Sequence, residues 1–263
     1  MDFSMAEYAL YLDDGGHPDD QPTVVVAGYV ASEKQWLDFE PQWLRTLDRF
    51  GLGAIFHMTD FMHDRSYSTL KRDQVLSSLA GVTNRYAIRP FVEAIDMRAY
   101  KTVNDEFALE ECHGAPYALV ARGIARSFHI WESENLHAAD SVIVFVEQGT
   151  KHYGDLEQVF QRDGMPPPVR VPKSTPQVQP SDILAWETFN QVKRGNGEVQ
   201  FSKNLDRLTR AIRKKENLGG MFYEADLRRL CADTNTYPRA TISANDSIAF
   251  HTNTKRKRKR TIY

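Results

Sequence analysis

Apolar residues fill short runs at some places along the chain and recur at helical spacing at others. Residues 8–13 and 23–31 read as strands, the second a nearly continuous apolar run of the kind buried on both faces. Between them lies an acidic turn, Asp13, Asp14, Gly15 and Gly16. Ser32 with Gln35 three positions on has the pattern of a capping box. Trp36, Phe39, Trp43, Leu44, Leu47 and Phe50 then recur with a helical period up to Gly51 and Gly53, with Pro41 a candidate bend. Residues 54–57 predict a short strand, 70–83 a helix and 86–95 another strand, where Pro90 argues for a bulge or an edge. Residues 96–112 are helical in composition without a clear apolar stripe and look like an excursion from the main architecture. A helix follows at 115–134.

The strongest buried-strand pattern is Val142, Ile143, Val144, Phe145 and Val146 within residues 140–147, and it ends on Glu147. Residues 153–162 predict a short helix. The proline-rich stretch 166–180 predicts extended or looped chain, with a strand at 169–171. Pro180 suits the first turn of a helix whose apolar side is Ile183, Leu184, Trp186, Phe189 and Val192, stopped by Gly195. Two basic helical stretches follow at 205–215 and 223–231. Strands alternating with helices define an α/β fold: a mixed sheet flanked by helices, its first strand pair antiparallel and its later strands reached by crossovers. The pattern divides the chain into an α/β domain over 1–195, a basic helical C-terminal extension over 196–240 and a basic tail without period over 241–263.

Composition adds bounds. A chain of 263 residues, 41% hydrophobic and 26% charged, suits one large domain with an appendage. No apolar run reaches the roughly 18 residues of a membrane span, and the start lacks a basic segment followed by an apolar one, so the expectation is a cytoplasmic chain. Cys112 and Cys231 are too far apart in sequence to suggest a disulfide framework or a cysteine zinc site. The net charge of −2 hides an asymmetry, because residues 193–263 carry +10 and residues 1–192 carry −12. Residues 255–260 alternate Lys and Arg. Such a block reads either as a solvated, self-repelling tail or as an arm for phosphates, and in a eukaryotic host as a nuclear address.

The candidate chemistry is carboxylate. Asp13 and Glu147 end strand-like runs and Asp182 opens a helix, so the three can meet in space if the two strands are neighbours. Each has a structural reading as well: turn chemistry for Asp13 and Asp14, a solvated strand end for Glu147, and a helix-dipole partner for Asp182. Clustered carboxylates repel, so their conjunction calls for a cation or shared protons, and oxygen ligands favour Mg²⁺ or Mn²⁺ over zinc. His57 and Asp60 follow the short strand, where an imidazole serves as a general base or as a structural histidine. Arg207, Arg210, Arg213, Lys214 and Lys215 form a stripe that either holds a nucleic-acid backbone or is a solvated helix face.

Three motifs carry a resemblance. Tyr-Leu-Asp-Asp-Gly-Gly at 11–16, Phe-His-Met-Thr-Asp-Phe at 56–61 and Gln-Pro-Ser-Asp-Ile-Leu-Ala-Trp-Glu at 179–187 resemble the signature motifs of the domain-of-unknown-function 3800 family over roughly residues 8–195. Asp14 and Gly15 depart from the Glu and Ser of its opening motif. That family is similar to ribonuclease-H-like proteins. The resemblance implies that Asp13, Glu147 and Asp182 are metal ligands, with Asp14 and Glu187 as lesser candidates and His57 in the motif beside them. It implies a ribonuclease-H-like sheet and a divalent-metal-dependent nuclease or related phosphoryl-transfer enzyme acting on DNA or RNA through two ions roughly 3.5–4 Å apart. The alternative is a non-catalytic module of the same fold that binds nucleic acid or a protein partner. A metal-free hydrolase is disfavoured because no Gly-x-Ser-x-Gly motif occurs. Nothing in the sequence sets the oligomeric state.

Overall fold

A computed structural model of the chain describes residues 8–16, 21–136, 142–149, 153–162, 164–194, 203–209 and 219–233. In chain order the elements are β1 (Tyr8–Gly15), β2 (Thr23–Ser32), α1 (Glu33–Arg49), α2 (Met58–His63), α3 (Thr69–Tyr86), β3 (Arg89–Asp96), α4 (Met97–Glu106), α5 (Leu109–His113) and α6 (Pro116–Asn135). They continue as β4 (Val142–Glu147), α7 (Tyr153–Arg162), β5 (Val169–Val171), α8 (Gln179–Arg194), α9 (Lys203–Leu208), β6 (Gly219–Phe222) and α10 (Glu224–Asp233). The strands form one mixed sheet in the order β5-β4-β1-β2-β3-β6. β2 is antiparallel to both β1 and β3, whereas β4 runs parallel to β1, β5 to β4 and β6 to β3.

The two-residue period of the strands feeds two cores, one on each face. Leu10, Leu12, Val24, Val26, Val30, Phe91 and Ile95 pack under α4 to α7 and α10. Ala9, Val25, Ala27, Tyr29, Ala31, Val92 and Ala94 pack under α1, α2, α3, α8 and α9. β2 is therefore buried on both sides, as its continuous apolar run predicts. Gly28 interrupts that run because a Cβ there would stand 2.1 Å from the Tyr11 carbonyl oxygen. The capping box forms as expected: Ser32 Oγ accepts from the Gln35 N–H at 3.3 Å and Gln35 Oε1 from the Ser32 N–H at 3.0 Å.

Four expectations change. Residues 54–57 form no strand; backbone groups of Ala54 and Phe56 bond to the side chain of Gln179 instead of to a neighbouring strand. Residues 97–113 are not an excursion, because α4 buries Met97, Tyr100 and Val103, and α5 buries Leu109, in the α6-side core. β4 is less buried than its run of apolar residues suggests: Val146 is buried but Ile143 is 37% exposed, since β5 covers only Phe145 to Glu147. β6 went unanticipated, being four residues that begin with two glycines. It joins the main sheet, while α9 packs on α3 and α10 on α4. The expected helix at 205–215 is described as far as α9, and its remainder and the basic tail lie outside the described residues. Among the described residues no helix is long and apolar enough to cross a membrane.

Candidate functional site

The site grows out of strand parity. Ala9 and Tyr11 of β1 face the α8 side of the sheet, so Asp13, two residues on, leaves the strand on that side. On the parallel neighbour β4, Phe145 is paired with Tyr11 and stacks on its ring, with centroids 4.6 Å apart and planes at 11°. The register continues to Leu12 beside Val146, and the next residue of each strand is an acid, Asp13 and Glu147. β1, which runs on to Gly15, and β4, which ends on Glu147, thus bring two carboxylates to adjacent positions beyond the stacked Tyr11 and Phe145 rings.

Helix α8 brings the third, and each polar residue of its first turn has a task. Gln179 accepts from Trp43 Nε1 at 2.8 Å and from the Phe56 N–H at 3.1 Å, and donates to the Ala54 carbonyl at 3.2 Å. Ser181 Oγ donates to the Tyr11 carbonyl at 2.9 Å, tying the helix to β1. Asp182 Oδ2 accepts from the Met58 N–H at 2.6 Å and so caps α2 from a different helix. The approach of β1 to α8 is close: a Cβ at Gly15 would lie 3.1 Å from the Ala185 carbonyl oxygen, and Gly16 has a φ of +87°. Glycine at 15, where the resembling motif has serine, is what this packing accommodates.

The carboxylates feel one another. Burial, then the charges of Asp182, Asp14 and Glu147, push the Asp13 carboxyl well above its ordinary range. Burial and the charges of Glu147 and Asp182 push Asp14 up to about 6, against the pull of Lys173. Glu147 is raised by burial and by Asp182, with Lys173 opposing. Asp182 is raised by burial, against the Met58 N–H, His57 and Lys173. Neutral or cation-paired carboxyls are what such a site favours.

His57 stands at the cluster's edge. Its Nε2 is 3.9 Å from Asp182 Oδ1, and its Nδ1 is 2.9 Å from Asp60 Oδ2, whose carboxyl is held below its ordinary range by that hydrogen bond. Glu187 lies elsewhere, buried and accepting from Asn204 Nδ2 at 2.9 Å. Arg207 turns to Asp73, at 2.6 Å, with only 14% of its side chain exposed. Arg210, Arg213, Lys214 and Lys215 lie outside the described residues. Sequence reasoning missed Lys173, whose Nζ is 3.9 Å from Glu147 Oε1. A single lysine in a proline-rich stretch offers no pattern to read. Among the described residues no group of three or more His, Cys, Asp or Glu side chains is arranged to hold a metal ion. What the residues fit is the donor chemistry: desolvated carboxylate oxygens, the ligands of a hard divalent cation.

No family model matches the chain. No curated protein matches it. Among solved structures it is similar to a chain of the PCNA:RNase HII complex from Archaeoglobus fulgidus, at 12% identity and a TM-score of 0.33, over 90% of this chain and 98% of that one.

Proposed function

We propose that this chain is a divalent-metal-dependent nuclease, or a related phosphoryl-transfer enzyme acting on nucleic acid, built on a ribonuclease-H-like sheet. The observation that carries the reading is the meeting of Asp13, Glu147 and Asp182, from β1, β4 and α8, in one neighbourhood where each raises another's proton affinity or has its own raised. The sheet order supports it, since β1 lies centrally between an antiparallel β2 and a parallel β4. The three signature-like motifs fall on this same site: the first on β1, the second on α2 and the third on α8.

Asp13, Glu147 and Asp182 would hold Mg²⁺ or Mn²⁺, with Asp14 beside them. When bound, such an ion supplies Lewis acidity and a more acidic water at a phosphodiester. The remaining work belongs to side chains. Asp60 accepts from Nδ1–H of His57, which fixes the tautomer and leaves Nε2 to take or return a proton at the mouth of the site. Gln179 and Ser181 hold the helix that carries Asp182. The stacked rings of Tyr11 and Phe145 fix the two strands side by side, two residues before Asp13 and Glu147.

The test is cleavage of labelled single- and double-stranded DNA and RNA by the full chain with Mg²⁺, Mn²⁺ or chelator. Cleavage is expected with metal only, and Asp13→Asn and Asp182→Asn are each expected to lower it on the order of 100-fold or more. Cleavage that survives both substitutions overturns the site. A second reading, a non-catalytic binding module on this fold, is favoured by one observation: among the described residues no three ligand side chains are arranged to hold an ion. It predicts nucleic-acid binding without cleavage under every metal condition.

A further inference from the structure

We infer that the shoulder where the end of α1 meets the start of α3 is a docking surface for a nucleic-acid backbone, with Arg45, Arg49 and Lys71 as its phosphate contacts around Phe50. The inference rests on the nucleic-acid half of the reading above and needs no metal ion.

The cations that the sequence offers for this task are spent, and others are open. Arg207 is bound to Asp73 at 2.6 Å, and Lys203 on the same helix reaches the same carboxylate at 3.3 Å. Arg228 is shared between Glu106 and Glu224, each at 2.8 Å, and Lys34 is held by Asp38 at 2.7 Å. Among the described residues Arg45, Arg49 and Lys71 ion-pair with no carboxylate, and Asp48, the acid beside Arg49, forms no ion pair either. Arg45 gives its Nε–H to the Pro41 carbonyl at 3.1 Å, which leaves the rest of its fork for another acceptor. All three cations lie within residues 1–192, which carry a net charge of −12, so their lack of partners is not a by-product of a basic domain.

Phe50 gathers these charges. Lys71 Nζ lies 4.7 Å from the centre of its ring and the Arg49 guanidinium 5.3 Å, so the two stand within one Debye length of each other, about 10 Å at roughly 0.1 M salt, and their fields add. Arg45 is one turn back from Arg49, at the spacing that shares a helix face, and both are exposed. Leu70, next to Lys71 in the chain, is an exposed apolar neighbour. Closely spaced cations around an aromatic ring suit a polymer of regularly spaced phosphates with apolar sugars and bases between them. An acidic peptide supplies charge without that spacing or stacking. The shoulder is joined to the carboxylate site through α2: Arg72, beside Lys71, donates to the Asp64 carbonyl at the end of α2 at 2.7 Å, and the start of α2 is capped by Asp182. A strand resting on the shoulder is one short helix away from the acids.

The experiment is a fluorescence-anisotropy titration of labelled single-stranded DNA, single-stranded RNA and duplex DNA with the full chain in chelator, over about 50 to about 200 mM salt. The proteins are the parent, Arg49→Gln with Lys71→Gln, that pair with Arg45→Gln added, the charge-keeping pair Arg49→Lys with Lys71→Arg, and a control, Lys34→Gln with Arg228→Gln, which loses two acid-paired cations. The Arg49→Gln, Lys71→Gln pair is expected to weaken binding roughly 10–50-fold near 0.1 M salt and to lower the slope of log affinity against log salt by about 2, and the triple variant by about 3. The charge-keeping pair and the control are expected to bind like the parent. Parent-like binding by the double and triple variants overturns the inference and leaves nucleic-acid binding to other cations. An equal loss in the control, or in the charge-keeping pair, overturns it too, since net charge or side-chain shape alone would then account for the effect. Displacement of the nucleic acid by polyglutamate at equal charge assigns the shoulder to acidic proteins and likewise overturns it. Binding of none of the three nucleic acids by the parent overturns the nucleic-acid reading and this inference together, whereas failed cleavage with these affinities intact overturns the nuclease reading alone.

Discussion

At the scale of single residues, the acids of the site are held against their preference for water. A carboxyl whose proton affinity is raised by the fold contributes stability in its protonated form. That stability is complete below the ordinary carboxylate range and is lost as pH rises through the raised value. For Asp14 the window runs from the ordinary 3.8 to about 6. In chelator, Asp14→Asn is therefore expected to melt roughly 2–4 °C above the parent at pH 8, with the gap closing near pH 4. Thermal denaturation at both pH values checks it, and a gap that is equal at the two would assign the effect to packing. Asp13 and Asp182 stood out in sequence because each lies in a motif; Asp182 does open α8, whereas β1, expected to end on Asp13, runs on to Gly15. Glu147 was legible only as the end of an apolar run. Glu187, five residues along α8 from Asp182, accepts from Asn204. Lys173 was invisible, because its relation to Glu147 depends on where a proline-rich turn places it.

At the scale of elements, the site depends on how α8 is docked. Gln179 is buried and engages the indole of Trp43 on α1 together with the backbone of Ala54 and Phe56. That is why residues 54–57, apolar enough to read as a strand, need no strand partner: a side chain supplies their hydrogen bonds. Gln179→Ala would leave the Trp43 and Phe56 N–H groups buried without acceptors, a cost of about 2–4 kcal/mol. Chemical denaturation measures that loss, and His57, one residue beyond Phe56, is expected to lose its defined position, readable as a changed imidazole NMR signal. The reading of 96–112 failed for a related reason. The apolar positions of α4 are few, but Met97, Tyr100 and Val103 all fall on the face that meets the core. The strands, in contrast, were readable from their two-residue period and β-branched content, which report burial on a sheet directly.

At the scale of the whole molecule, the mixed sheet with helices on both faces was legible in outline, whereas the place of the C-terminal region was not. Pro90 pointed to an edge, and it does sit near the start of β3, before the stretch from Val92 to Ile95 that β6 covers. The partner itself escaped notice because its first two residues are glycines, chosen for closeness and not for strand propensity. A Cβ at Gly219 would fall 1.4 Å from the Val92 carbonyl oxygen, so only glycine lets this segment lie against β3. That small strand acts as a guard. Without it, β3 would present a row of unpaired amides and carbonyls to any other copy of the chain, the template from which edge-to-edge association begins. Gly219→Ala is accordingly expected to leave the folded body competent but prone to concentration-dependent self-association, rising with protein concentration in light scattering where the parent stays constant. Four residues late in the chain thus shorten the open edge of the sheet on the β3 side, where another strand would otherwise find a longer template.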